Sequence, residues 1–223
     1  MKTDRIEWSA SLLAAPPLHL HTTLTSLQKT NISCMHLDIM DLHYVPNTGL
    51  SIDTIVSIAK AFPHLKLDVH CMTNHVDLLL KKLPLKAMNI RTLYFHPDCA
   101  ENPINGIKYL QEHNIKAGVA INPSQTPEDL NIDFSMIDAC LVMGVNPGFS
   151  GQSFQPATIK TLHNLQKIQT NNPFSVALDG GMNPSTLKHI PSELVDHIVL
   201  GSALFNTKCP MQNLQACQQA LLS

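Results

Sequence analysis

Eight short runs of β-branched and other apolar residues alternate with helical patterns along this chain. The strand-like runs cover residues 6–13, 34–40, 65–70, 92–96, 116–121, 139–143, 175–179 and 197–201. Strands that alternate with helices favour parallel pairing through βαβ units. Because the 223 residues of the chain approach the roughly 250 of a typical (β/α)8 barrel, we predict an α/β fold of this kind, a (β/α)8 TIM barrel.

Four of the intervening segments carry apolar residues at helical spacing, within residues 52–59, 104–110, 159–168 and 214–221. No linker, low-complexity tract or change of composition interrupts the pattern, so we predict one domain over residues 1–223. A doubly wound open sheet is the alternative fold. Its GxGxxG fingerprint is absent after the first strand.

Charge and cysteine usage limit the partners and the cellular compartment that we expect for the protein. The formal net charge is −2 with no basic stripe, which argues against nucleic acid and anionic membranes as partners. No apolar run approaches the roughly 20 residues of a membrane span, and the N-terminus lacks the apolar core of a signal peptide. The six cysteines form no CxxC pair, which is typical of free thiols in a reducing compartment. We predict a cytoplasmic protein.

Polar side chains stand at the ends of several predicted strands. His36 and Asp38 are two residues apart in a strand, so they share a face, and His70 and Asp179 end two further strands. The C-terminal ends of barrel strands meet at one mouth, where active sites of this fold lie. A lone histidine among 12 is more often a surface or core residue, but these four together suit one divalent metal such as zinc, iron(II) or manganese(II).

Glycines gather in the C-terminal part of the chain. Six of the nine lie in the segments VMGVNPGFSGQSF, LDGGMN and VLGSALF, at the predicted ends of the last three strands. Glycine lets backbone amides approach an anion closely, and barrel phosphate sites often use the loops after strands seven and eight. A phosphate site is therefore favoured over the alternative that these glycines only make tight turns.

The motifs HLDIMDLHYVPN, LDVHCM, VMGVNPGFSGQSF, LDGGMNPSTL and LGSALF together resemble the ribulose-phosphate 3-epimerase family in order and spacing up to about Phe205. The resemblance implies a (β/α)8 barrel of the ribulose-phosphate binding type, a divalent metal and a phosphorylated ketose substrate. It implies an isomerase of the pentose phosphate pathway, a metal-dependent epimerase that interconverts D-ribulose 5-phosphate and D-xylulose 5-phosphate by proton transfer at C3 through an enediolate. It also suggests a homo-oligomer, a dimer or a hexamer.

Matched motif by motif, the resemblance implies roles for individual residues. His36, Asp38, His70 and Asp179 match the metal ligands of the family, and Asp38 and Asp179 also match its acid–base pair. The residues matching its substrate contacts are Ser11, His70, Gly148, Phe149, Ser150, Gly151, Gly180, Gly181, Gly201 and Ser202. Those matching methionines that line its active site are Met40, Met72 and Met143, for which core filling is the alternative.

The chain departs from the family pattern at a few positions. Leu42 and Ser150 stand where the family has glycine, Gly144 stands where it has serine or threonine, and residues 14–17 differ. Changes at residues 14–17 and at Leu42 bear on substrate identity or efficiency. Three alternatives therefore stay open: an epimerase of a related ketose phosphate such as D-allulose 6-phosphate, a non-catalytic barrel that binds metal or sugar phosphate, and, less strongly, a metal-dependent hydrolase.

Several polar residues receive only a default assignment. We expect surface or loop positions for His43, His75, His96 and His113. We expect Asp41 and Asp68 to support the metal ligands through hydrogen bonds.

Overall fold

The computed structural model describes residues 6–206 and 209–223 of the chain. Its strands are β1 (Glu7–Ser11), β2 (Cys34–Met40), β3 (Lys66–Met72), β4 (Ile90–Phe95), β5 (Lys116–Ile121), β6 (Ala139–Met143), β7 (Ser175–Asp179) and β8 (His197–Leu200). Neighbouring strands pair in parallel in chain order, and β1 closes the sheet by pairing with β8. The (β/α)8 TIM barrel predicted from the sequence is therefore confirmed.

Helices surround this barrel. Those of the described ranges are α1 (Leu20–Leu27), α2 (Ile52–Ala61), α3 (Val76–Lys82), α4 (Pro103–Glu112), α5 (Thr158–Gln169), α6 (Pro184–Leu187), α7 (Ser202–Phe205) and α8 (Pro210–Leu222). Shorter 3-10 turns are Leu12–Ala14, Pro17–His19, Leu85–Ala87, Pro97–Cys99, Pro127–Leu130, Phe134–Met136 and Ser192–Leu194. No helix in these ranges combines the length and the apolar character needed to cross a membrane.

The four apolar stripes predicted from the sequence coincide with α2, α4, α5 and α8. Their starts follow from local chemistry: Ser51 Oγ accepts the Thr54 amide at 3.1 Å before α2, and Asn102 Oδ1 accepts the Ile104 amide at 3.0 Å before α4. The connection from β5 to β6 has no α-helix and uses two 3-10 turns, the first beginning at Pro127.

Strand β2 shows how the barrel divides its side chains. Leu37 and Ile39 point outward into the main apolar core beneath the helices, whereas His36 and Asp38 point inward. A smaller apolar cluster fills the interior and consists of Tyr94, Ala120, Ala139, Leu141, Met143 and Ala177. Gly118 makes room for the Tyr94 ring, because a Cβ there would lie 2.3 Å from Tyr94 Cδ1. The interior is thus packed up to the polar layer at the mouth.

Candidate active site and metal centre

Three strands bring the four predicted ligands together at the C-terminal mouth of the barrel. His36 and Asp38 come from β2, and Asp38 is the register partner of His70 on β3. Asp179 is the last residue of β7. His36 and His70 are fully buried and Asp38 is almost so, while Asp179 is partly exposed to the cleft. The two imidazoles are thus the most deeply buried members of the cluster, and Asp179 is the most exposed to the cleft.

The side-chain atoms of this cluster are close enough to share one cation. His36 Nε2 lies 3.4 Å from Asp38 Oδ1 and 3.5 Å from Asp179 Oδ2. His70 Nδ1 lies 3.3 Å from Asp38 Oδ1. One donor atom from each of the four residues falls within 4.8 Å of all the others. Two imidazole nitrogens and two carboxylate oxygens form a donor set that suits divalent zinc, iron or manganese.

The hydrogen-bonding state of the histidines supports this fit. Within the described residues, both ring nitrogens of His36 and Nδ1 of His70 are buried without a hydrogen-bond partner. Leaving such a group unsatisfied costs about 1–3 kcal/mol each. A cation among these atoms would satisfy His36 Nε2 and His70 Nδ1 at once. The residues therefore fit a metal ion, and the cluster could hold one.

The electrostatics of the cluster shift the pKa values of its two carboxylates in opposite directions. Burial disfavours the charged form of His36, but the adjacent charges of Asp38 and Asp179 outweigh it and raise the His36 pKa to about 9. Burial raises the pKa of Asp179, and the charge of Asp38 adds to this. For Asp38 burial is outweighed by His36 and His70, which lower its pKa below the ordinary range. Paired carboxylates with separated pKa values are typical of acid–base sites.

A cleft opens above the cluster and is lined by most of the other predicted site residues. Ser11, at the end of β1, donates from Oγ to Asp38 Oδ2 at 3.2 Å. The three predicted methionines, which are largely buried, line the cleft floor and wall: Met40, Met72 and Met143. These methionines thus fill space in the interior and also face the cleft.

The glycine-rich loops after β6, β7 and β8 form the other side of the cleft. They contribute Gly148, Phe149, Ser150, Gly151, Gly180, Gly181, Gly201 and Ser202 to its lining. Four of these glycines have positive φ angles, namely Gly148, Gly151, Gly180 and Gly181, and a side chain there would strain the backbone. The loops therefore present backbone rather than side chains along much of this wall.

Two departures from the family pattern have local consequences. A Cβ at Gly144 would lie 2.4 Å from the carbonyl oxygen of Gly180, so no side chain fits where the family carries serine or threonine. Leu42 has φ 64°, a left-handed conformation that glycine adopts without strain. The backbone at Leu42 thus keeps a conformation suited to the glycine of the family.

His96 lies in a loop, as one of its two expected positions, but it is not at the surface. His96 follows β4 directly and is fully buried, with its Nε2 2.9 Å from Nε2 of His70. Burial lowers its pKa well below the ordinary value, with His70 adding to the shift. The sequence held the signal, because residue 96 ends the predicted fourth strand at the same rim as His70. His43 and His75 are exposed as expected, and His113 is half-buried.

Asp68 lies beside a predicted ligand as the register partner of His36, but the expectation that it supports the ligands through hydrogen bonds is wrong. Asp68 pairs with Arg91, whose Nε donates to Asp68 Oδ1 at 2.9 Å, and it lies 3.7 Å from His197 Nδ1. This network sits toward the N-terminal ends of the strands, where Arg91 also bonds Glu7. Cys34, Asp68 and His197 are close enough together to share a cation, but the Arg91 guanidinium already occupies both oxygens of Asp68.

Asp41 supports the loops of the mouth rather than the ligands themselves. Its carboxylate accepts hydrogen bonds from the Thr73 hydroxyl and from the amides of His43, Tyr44 and Asn74. Burial opposes the charged form, but these bonds outweigh it and lower the Asp41 pKa to about 2. The loops after β2 and β3 are joined through this one side chain.

Sequence reasoning also missed Asn47, which joins two loops of the cleft. Its Nδ2 donates to the carbonyl oxygen of Gly148 at 2.7 Å. Asn47 lies within the motif HLDIMDLHYVPN, but nothing in the sequence identifies its partner 101 residues away.

Fold and site define a class: a parallel (β/α)8 barrel with a two-histidine, two-aspartate cluster suited to a divalent cation, beneath a cleft with a glycine-rich wall. Comparison with known proteins narrows the class. The chain belongs to the ribulose-phosphate 3-epimerase family, whose model matches residues 7–205.

Individual relatives agree with this family. The ribulose-phosphate 3-epimerase of Buchnera aphidicola is 33% identical over 204 residues, which cover 89% of this chain and 88% of that protein. The ribulose-phosphate 3-epimerase of Escherichia coli K12 is 30% identical over 198 residues, which cover 88% and 87%. Among solved structures, 3-hexulose-6-phosphate synthase from Salmonella typhimurium shares the fold, with a TM-score of 0.67 at 14% identity, covering 97% of this chain and 99% of that one.

Proposed function

We propose that this protein interconverts D-ribulose 5-phosphate and D-xylulose 5-phosphate, with Asp38 and Asp179 as the acid–base pair. One observation carries the proposal: two carboxylates from different strands meet over one histidine nitrogen at the floor of the cleft, within 3.4 and 3.5 Å of His36 Nε2. Inversion at C3 requires a proton to leave one face of the carbon and another to arrive at the opposite face. Two carboxylates carried by different strands meet that requirement.

The two carboxylates reach the cluster from different strands, Asp38 from β2 and Asp179 from β7. One takes the proton from C3, and the other delivers a proton to the opposite face. In the reverse reaction the two residues exchange roles. When bound, a divalent cation supplies a Lewis acid that stabilises the enediolate charge. His36, Asp38, His70 and Asp179 would hold it.

The glycine-rich wall explains how the substrate is kept in register. Backbone amides in the loop 148–151, at Gly180 and Gly181 and at Gly201 and Ser202 bind the phosphate, since loops rich in glycine let an anion approach closely. Ser11, which lines the cleft, completes the substrate contacts, whereas His70 is fully buried and acts through the metal. Fixing the phosphate at one end aligns C3 with both carboxylates at the other, which lowers the entropic cost of reaction.

Membership of the family supports further proposals about the working protein. We propose one domain over residues 1–223, a homo-oligomer, either dimer or hexamer, and a cytoplasmic location. The metal is zinc, iron(II) or manganese(II), because mixed nitrogen and oxygen donors suit each of them. Light scattering coupled to size exclusion measures the oligomeric state, and elemental analysis of protein purified without chelator identifies the metal.

The test of function is conversion of D-ribulose 5-phosphate followed by carbon NMR. Chelator-treated protein is compared with the same protein after zinc, iron(II) or manganese(II) is restored. Appearance of D-xylulose 5-phosphate, lost with chelator and regained with metal, supports the proposal. Conversion of D-allulose 6-phosphate but not of the five-carbon substrate reassigns the substrate. Metal binding with neither conversion refutes the epimerase assignment and favours a binding protein.

A further inference from the structure

His96 has no part in the proposed reaction, yet it is fully buried next to a candidate metal ligand. Its Nε2 lies 2.9 Å from Nε2 of His70, and the two ring centroids are 5.1 Å apart. Within the described residues, Nδ1 of His96 has no hydrogen-bond partner. Burying a polar imidazole costs free energy unless it is hydrogen-bonded. Among the described residues, the ring of His96 makes its hydrogen bond with His70.

The two nitrogens of His70 face different neighbours. Nδ1 lies 3.3 Å from Asp38 Oδ1, inside the four-residue cluster, and Nε2 faces His96. A neutral imidazole that binds a cation through one nitrogen carries its proton on the other. For His70 that proton is on Nε2, in a buried position where an unpaired N–H is costly. Nε2 of His96 is the acceptor that the structure gives it.

We infer that His96 is a positioning residue: it accepts a hydrogen bond from His70 Nε2 and so holds Nδ1 of His70 with its lone pair toward the metal. Partners of this kind, placed behind a metal-binding histidine, fix ring orientation and tautomer. The inference rests on the proposed metal site and adds to it a fifth side chain, one that makes no contact with the metal itself.

The surroundings of His96 keep its ring in place. The Tyr44 ring packs against it with a centroid distance of 4.7 Å. Tyr44 is held in turn by Asn122, whose Nδ2 donates to the Tyr44 hydroxyl at 2.7 Å. The backbone of His96 is fixed because its carbonyl accepts the Cys99 amide at 3.0 Å. His96 is thus a rigid acceptor, which is what orienting His70 requires.

Two substitutions separate this role from simple packing. His96→Phe keeps a flat ring but removes the acceptor, and His96→Gln restores an acceptor through its amide oxygen. His163→Phe is the matched control, because it makes the same change at an exposed histidine on α5. His36→Ala reports whether the bound metal is at the proposed cluster. Circular dichroism establishes that each variant is folded before it is compared.

The primary readout is the affinity of each protein for zinc alone, measured by competition with a fluorescent chelator. We expect His96→Phe to bind zinc about 10–100-fold more weakly than the wild type and His96→Gln to recover most of the loss. His163→Phe is expected to match the wild type. Wild-type affinity in His96→Phe overturns the inference while leaving the proposed function intact. Failure of the wild type to bind zinc, or undiminished binding by His36→Ala, overturns both.

A second readout needs no substitution. Nitrogen-15 NMR of the imidazoles in the zinc-loaded wild type distinguishes protonated from unprotonated ring nitrogens. We expect the His70 proton on Nε2 and the His96 proton on Nδ1. A proton on His96 Nε2 would mean that His96 donates rather than accepts, and the inference would be wrong. Agreement of the two readouts separates orientation of the ligand from a general loss of packing.

Discussion

Asn47 donates from Nδ2 to the carbonyl oxygen of Gly148 at 2.7 Å, a bond that spans 101 residues of sequence. Asn47 lies in the loop after β2, the strand that carries His36 and Asp38. Gly148 belongs to the glycine-rich loop that lines the opposite part of the cleft. The bond therefore ties the metal side of the site to the proposed phosphate side.

Removing this bond is expected to weaken substrate binding more than chemistry. A hydrogen bond of this kind contributes about 1 kcal/mol, so Asn47→Ala should raise KM about fivefold. We expect kcat to stay within about twofold of wild type, because the acid–base pair is untouched. Steady-state kinetics measure both. Asn171→Ala, an exposed change after α5, is the control, and a fall in kcat without a rise in KM would contradict the role.

Substituting either aspartate is expected to slow epimerisation strongly but to leave exchange of the C3 proton with one of the two epimers. Asp38→Asn and Asp179→Asn each remove one of two acid–base groups, which should lower kcat by about 10²–10⁴-fold. The remaining carboxylate still exchanges the C3 proton of one epimer in D2O, and the two variants should act on opposite epimers. Elemental analysis confirms that each variant carries metal. Near-normal kcat in either metal-loaded variant would contradict the pairing.

Leu42 is expected to be a source of strain. It is 62% exposed and has φ 64°, a conformation that costs a non-glycine residue roughly 1–2 kcal/mol. Leu42→Gly removes that strain but raises the conformational entropy of the unfolded chain, which destabilises the folded state by about 0.4–1 kcal/mol. We expect the free energy of unfolding to rise by up to about 1 kcal/mol and Tm by about 2–4 °C.

Leu78→Gly is the matched control for this change. Leu78 is similarly exposed but lies within α3, where glycine costs about 1 kcal/mol. The Tm measured by calorimetry should therefore rise for Leu42→Gly and fall for Leu78→Gly. Destabilisation of both by equal amounts would refute the strain at Leu42.

The buried network at the N-terminal end of the barrel makes stability depend on pH. Burial lowers the pKa of His197 to about 4 from 6.5, despite the opposing charge of Asp68. Between these values the unfolded chain binds the proton and the folded protein does not. The free energy of unfolding should therefore fall as pH drops from 6.5 to about 4.

His197→Gln cannot bind this proton and should weaken the dependence. We expect the wild type to lose on the order of 2 kcal/mol more than the variant across this range. Urea denaturation at several pH values measures the difference. Equal slopes for the two proteins would show that His197 is not kept neutral by burial.

The sequence predicted the elements with strong local signals. The predicted bounds of β2, β5, β6 and β7 match the structure, because polar residues or glycine bound these short β-rich runs. Other predicted bounds differ. β1 ends at Ser11 because a 3-10 turn begins at Leu12, β3 continues to Met72 beyond the predicted residue 70, and β4 begins at Ile90 rather than at residue 92. The helices α1 and α3 were missed, since seven or eight residues with two buried side chains each give a weak apolar stripe.

The candidate ligands were predictable for two reasons. Alternate residues of a strand share a face, and the C-terminal ends of all eight parallel strands meet at one mouth of the barrel. His36, Asp38, His70 and Asp179 needed no knowledge of loops. Asn47 was missed because its partner, Gly148, is determined by a tertiary contact. His96 could have been found, since residue 96 ends the predicted fourth strand at the rim that holds His70. Asp68 is the register partner of His36, but its hydrogen bonds go to Arg91, a partner 23 residues away that local sequence does not identify.

Proton NMR of the metal-loaded protein converting D-ribulose 5-phosphate in D2O follows the proposed proton transfer at C3 directly. Because Asp38 and Asp179 act on opposite faces of C3, we expect D-xylulose 5-phosphate that carries deuterium at C3 from its first appearance. Chelator should stop the reaction. Product that retains its original C3 proton, or a substrate whose C3 proton stays unchanged with fully loaded protein, would contradict the two-carboxylate mechanism.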